Sequence, residues 1–175
     1  MRWVLFAFTA PYSVVVGWGW VILMVCLFAA KDLRWEKTAV LTAQWRPWVR
    51  SIWRYSTTLG RGIIYQESVR VSQDEDKFSR IQHHEHVHVR QVEDRMLLSL
   101  GVGLVVAFTT GDWWLGLALW ASGGAWQIPN FVTAVLRYGL KGVYLGTEHE
   151  LSAYAQTDAR TGGKSWLETH RERHL

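Results

Sequence analysis

Gln82-His83-His84-Glu85-His86-Val87-His88-Val89-Arg90-Gln91 holds four of the chain's seven histidines, and its reading fixes the centre of the fold. From Lys77 to Leu100 there is neither Pro nor Gly, so the spacing predicts one continuous helix through the histidines. On that helix His84 and His88 lie one turn apart and about 40° around the axis. Both imidazoles can then reach a single metal ion. Glu85 sits beside them and can contact a metal-bound water without being a ligand itself. A zinc ion, Zn2+, lowers the pKa of such a water to about 7. Glu85 would accept its proton as the water attacks a carbonyl and deliver it later to the leaving amine. His83 and His86 fall on other faces of the helix and read as exposed or hydrogen-bonded. An i, i+3 metal pair through them is the less supported alternative.

A third ligand is available further along. Thr147-Glu-His-Glu-Leu-Ser-Ala-Tyr-Ala-Gln156 reads as a second polar helix carrying Glu148, His149 and Glu150. The two motifs together resemble the zinc metallopeptidases in which a second helix supplies a glutamate ligand, the gluzincins. Their first helix often reads His-Glu-x-x-His-x-x-Gln, which His84, Glu85, His88 and Gln91 match. Their second often reads Glu-x-x-Ala, which Glu150 and Ala153 match. The resemblance covers about 20 residues. It implies His84, His88 and Glu150 as metal ligands and Glu85 as general base, with Glu148 as the rival third ligand. It also implies a small helical unit with a few strands, and an extended substrate pairing with the strand before the first helix, at residues 62–71. The chain departs from the pattern at Tyr154, where many members carry an Asp that holds a ligand histidine. The group that would steady the transition state is not assigned; His149, Tyr144 and Tyr154 are near in sequence.

Working outward, charge is segregated. Residues 97–136 hold one charged side chain, Asp112, whereas residues 31–95 hold 12 Lys/Arg and 9 Asp/Glu. With 49% hydrophobic residues and 12 Trp among 175, disorder is excluded. A single Cys excludes a disulfide framework and a four-thiolate metal site. The net charge of +4 is a small excess, where a nucleic-acid binder would carry a denser basic face with interleaved aromatics. Length fits a single domain.

The uncharged run from Trp3 to Ala30 is longer than the h-region of a cleaved signal peptide and predicts an N-terminal transmembrane helix over residues 1–30. Lys31, Arg34, Lys37, Arg46 and Arg50 follow it, against Arg2 before it, so the positive-inside rule puts residue 31 onward in the cytoplasm. Cys26 reads as lipid-facing or packed. In residues 41–55, Trp45, Trp48, Ile52 and Trp53 recur at helical steps between Arg46, Arg50 and Arg54, which predicts an amphipathic segment at a bilayer interface. Residues 61–72 alternate with a period near two and predict a strand. The stretch 97–136 divides at Thr109-Thr-Gly-Asp-Trp-Trp114, with Asp112 as a turn residue, and predicts an apolar helical hairpin, inserted in the bilayer or buried in protein. Trp166–Leu175 reads as a polar surface helix or tail.

The expected fold is therefore mainly α and membrane-associated: residues 1–30 as a transmembrane helix, and residues 31–175 as one metallopeptidase-like domain. His88 and Glu150 must meet at one ion, so the hairpin between them must return the chain to the side it left. The expected function is hydrolysis of protein or peptide substrates near a lipid bilayer. Two alternatives come from other classes: a structural or accessory subunit of a membrane complex, covered by partner subunits, and a metal-handling protein using the whole histidine cluster.

Overall fold

The computed structural model describes residues 2–36, 39–50, 56–66, 75–125, 132–133, 135–137 and 148–161. Helix α1 (Arg2–Cys26) is followed by strands β1 (Ala30–Glu36) and β2 (Val40–Trp45), a short helical turn α2 (Pro47–Arg50), and strands β3 (Thr57–Leu59) and β4 (Gly62–Tyr65). The long helix α3 (Glu75–Thr110) and helix α4 (Trp113–Ala125) come next, then helix α5 (Glu148–Thr161). The four strands form one sheet in the order β1-β2-β4-β3. β1 and β2 are antiparallel, β2 and β4 parallel, and β4 and β3 antiparallel.

All residues of β2 and β4 are buried. The pleat sends alternate side chains to opposite faces. Leu41, Ala43, Trp45 and Ile64 join Val21, Trp18, Trp20, Met24 and Val25 on the α1 side. Val40, Ile63 and Tyr65 join Phe78, Ile81 and Val89 on the α3 side. Strands buried on both faces need a helical layer over each. α1 and α3 are those layers. Burying a side chain such as Ile63 or Ile64 stabilises the fold by about 1.5–3 kcal/mol.

α1 lies very close to the sheet. A Cβ on Gly62 would collide with the Gly17 carbonyl, and one on Gly17 with the amides of Arg61 and Gly62. The Arg61 amide donates to the Ser13 carbonyl at 2.9 Å, and the Trp18 indole N–H donates to the Ala39 carbonyl at 3.1 Å.

α3 runs 36 residues, well past the sheet. Its apolar end packs against α4 as a hairpin. Gly111 turns the chain at φ 75°, and the Asp112 carboxylate caps α4 by accepting the Leu115 amide at 2.9 Å. The arms touch through small residues: a Cβ on Gly116 would stand 2.6 Å from the Gly103 carbonyl oxygen and 2.8 Å from the Ala107 Cβ.

These findings correct the expected architecture. The fold is mixed α/β, organised on a four-stranded sheet, not a mainly α membrane assembly. Among the described residues no helix is long and apolar enough to cross a membrane, which overturns the N-terminal transmembrane helix and the integral-membrane, cytoplasmic-side placement read from Lys31, Arg34, Lys37, Arg46 and Arg50. The physical reason is that one face of α1, with Trp18, Trp20, Val21, Met24 and Val25, packs on the sheet. Lys31 and Arg34 lie on β1, and residues 41–45 of the expected interfacial segment belong to the buried strand β2. The hairpin arms, residues 97–110 and 113–125, each span about 20 Å, short of the roughly 30 Å hydrocarbon layer. Ile52, Trp53, Arg54, residues 67–72, Pro129, Tyr144 and Trp166–Leu175 lie outside the described residues.

Candidate metal centre

Each candidate donor is placed by packing rather than by local sequence. α3 lays Phe78, Ile81 and Val89 on the sheet, which turns His84 and His88 toward α5. α5 answers with Glu150, Ala153, Tyr154 and Thr157, all buried and spaced at three and four residues. Glu150 therefore projects from the buried face of α5 onto the histidine pair.

The ligating atoms converge. The Nε2 atoms of His84 and His88 stand 3.2 Å apart. Glu150 Oε2 is 3.1 Å from His84 Nε2, and Glu150 Oε1 is 3.3 Å from His88 Nε2. One donor atom from each residue lies within 4.8 Å of the others, and all three side chains are buried. Two imidazole nitrogens and one carboxylate oxygen are a donor set that suits a divalent ion of borderline softness. Among the described residues this is the one such group. The side chains of Glu148 and His149 lie outside the described part.

The surroundings fix both rings. His88 Nδ1–H donates to Gln91 Oε1 at 2.9 Å, which leaves Nε2 facing the centre. The Tyr154 ring packs on His84 with centroids 4.5 Å apart and planes tilted by 43°. At the position where an Asp was expected to hold a ligand histidine, an aromatic face holds one instead.

The charges are strongly coupled. Burial pushes the Glu150 carboxyl up, but the His88 charge and the hydrogen bonds from His84 and His88 outweigh it and hold the group well below the usual carboxylate range. Burial likewise pulls His88 down. The adjacent Glu150 carboxylate, with smaller help from Glu85 and Gln91, raises it to about 9. Without a metal the centre is thus a buried imidazolium–carboxylate pair, and a cation entering it displaces a proton.

Glu85 is buried beside the donors and is not one of them. Its Oε2 accepts a 2.5 Å hydrogen bond from the Thr58 hydroxyl on β3. Eight residues along α3, Glu93 pairs with the buried Arg61 at 2.6 Å, so the β3–β4 hairpin is joined to α3 at two points. Neither Thr58 nor Arg61 was singled out from the sequence. Thr58 lies 27 residues from its partner, with no motif to mark it.

His86 points away from the centre. Its Nε2 lies 3.1 Å from Glu36 Oε2, and Glu36 also accepts from Gln82 and Tyr65. Burial raises the Glu36 carboxyl, but the His86, Gln82 and Tyr65 contacts bring it below its ordinary value. This cluster ties the end of β1 to the back of α3.

The strand expected to receive substrate is placed differently. β4 lies between β2 and β3 and is paired on both sides. Among the described strands β3 is terminal, and it is the one whose side chain reaches Glu85. No family model, curated protein or solved structure matches this chain, so the reading of the centre rests on its own geometry.

Proposed function

We propose that the chain is a zinc-dependent metallopeptidase. The observation that carries the reading is the convergence of His84, His88 and Glu150 from two helices with Glu85 one residue from a donor and outside the donor set. His84 and His88 through Nε2, and Glu150 through its carboxylate, would hold the ion. A zinc ion bound there supplies a water of lowered pKa and polarises a substrate carbonyl. Glu85 is the base that takes the water proton and returns it to the leaving amine. Gln91 and Tyr154 keep the two imidazoles aimed, so little reorganisation is needed when substrate arrives. The resemblance to gluzincins in the two motifs supports the same roles. An extended peptide is the natural substrate form, because β3 is terminal among the described strands and an extended segment can add to such an edge.

The test pairs metal content with cleavage. Wild type should carry one zinc per chain and cleave unstructured peptides. Glu85→Gln should keep the zinc and lose about 10²–10⁴-fold in kcat. Retained cleavage in that variant would remove Glu85 from its role, and absence of zinc in carefully handled wild type would end the reading.

A second reading is favoured by one observation. Leu98, Val105, Phe108 and Trp114 on the hairpin are each more than 60% exposed, an apolar face of the kind that a protein partner covers. An accessory subunit that keeps the metal for stability and is covered there by a partner chain would explain it. That protein would bind zinc, cleave nothing, and lose stability when the metal is stripped.

A further inference from the structure

We infer that Thr58 is a positioning residue that couples an extended peptide on β3 to the placement of the Glu85 carboxylate. The inference rests on the metallopeptidase reading. The Thr58 hydroxyl donates to Glu85 Oε2 at 2.5 Å, a short charge-assisted bond to a buried acid. With Oε2 held, Oε1 is the oxygen presented to the water proton. A carboxylate on a helix can rotate about its terminal torsion, and a bond from a different element removes that freedom.

β3 is suited to transmit strand occupancy. It is three residues long and half-buried, whereas β4 beside it is wholly buried. It pairs with β4 through Thr57↔Ile64, Thr58↔Ile63 and Leu59↔Gly62. The hairpin is anchored at its turn: Arg61 pairs with Glu93, and its amide bonds to the Ser13 carbonyl. Thr58 lies three residues from that anchor, so the position of β3 and the Thr58–Glu85 bond are set together. A peptide strand added to β3 would flatten and fix it, and with it the Thr58–Glu85 bond. Peptides too short to lie along β3 leave that bond to the strand alone. Misplacing a catalytic group by about 1 Å costs on the order of 100-fold in rate, so a small shift here is enough to matter.

The experiment uses the full chain and a peptide series of increasing length with one scissile bond. In wild type, kcat should rise about tenfold once the peptide spans β3. Thr58→Val should lower kcat for long peptides about 10- to 100-fold with little change in KM, and abolish the length effect. Thr58→Ser should restore kcat to within about threefold of wild type. Unchanged kcat in Thr58→Val, or no rescue by Thr58→Ser, overturns the inference and leaves the peptidase reading standing. A second readout needs no turnover. In metal-free protein, Thr58→Val should lower Tm by about 2–4 °C, and by nothing further in a Glu85→Ala background. Additive shifts would overturn the contact itself. Coupled shifts in a wild type that cleaves no peptide would bring down the peptidase reading, and the substrate link with it, while the contact remained.

Discussion

The two halves of α3 invert the ordinary relation between polarity and burial. Its first half carries four histidines, Glu85 and Glu93, yet His84, Glu85 and His88 are each about 5% exposed. Its second half is apolar, yet Leu98, Val105 and Phe108 stand 63–73% exposed. One helix thus has a polar end packed between sheet and α5 and an apolar end whose main described partner is α4. The contrast teaches that burial follows the number of layers at a position rather than its side chain. A buried polar group is costly unless paired, and on the first half His84 meets Glu150, Glu85 meets Thr58 and His88 meets Gln91. The first half thus holds a buried donor group that could take a metal ion, while the second half presents an apolar surface.

The comparison can be broken at the boundary between the halves. Met96 is fully buried there, so Met96→Ala should destabilise the fold by about 2–5 kcal/mol in denaturant unfolding. A loss under 1 kcal/mol would mean that the packed half ends before residue 96.

A smaller effect sharpens the account of the polar half. In metal-free protein the His88 pKa is raised to about 9, so this pairing stabilises the fold fully below the unfolded value of about 6.5. That contribution is lost as pH rises from about 6.5 through 9. Metal binding has the opposite sign: it displaces the His88 proton, so apparent zinc affinity should rise about tenfold per pH unit up to about pH 9. Flat affinity between pH 7 and 8.5, measured by competition with a chelator, would sink the buried-pair description.

The smallest effect belongs to the apolar half. Leu98→Gln should change the stability of the isolated chain by no more than about 0.5 kcal/mol, because Leu98 is 68% exposed. A large loss would show that Leu98 is covered in the isolated chain, which would remove the exposed surface on which the accessory-subunit reading rests.

The residues that form the donor set were legible in the sequence because their signal is local. His84 and His88 are one helical turn apart, Glu85 sits between them, and Glu150 opens a short second motif. The sheet was not. Val40-Leu-Thr-Ala-Gln-Trp45 carries no charge and reads as well for a helix as for a strand; the Trp and Arg spacing that continues through residue 54 favoured a helix. Only the pairing of β2 with β4 decides it. The apolar length of α1 was likewise visible, while its purpose was not, since a run that covers a sheet and one that meets lipid share a composition. Thr58, Arg61 and Tyr154 belong to the same class: each acts on a partner brought near by the fold. The Tyr154 position was noticed as a departure, but its ring-to-ring contact with His84 needed coordinates.

His84 and Glu150 are 66 residues apart along the chain, and the hairpin lies between them. An ion shared by the two would act as a clasp closing a long loop, and most of its stabilising effect would come from entropy taken from the unfolded chain. The order of appearance follows as well. A nascent chain that has emerged only through α4 presents the two imidazoles but not the Glu150 carboxylate that completes the group. A three-donor ion site would therefore form only when α5 docks, and a copy cut off before α5 would carry the histidine motif without it.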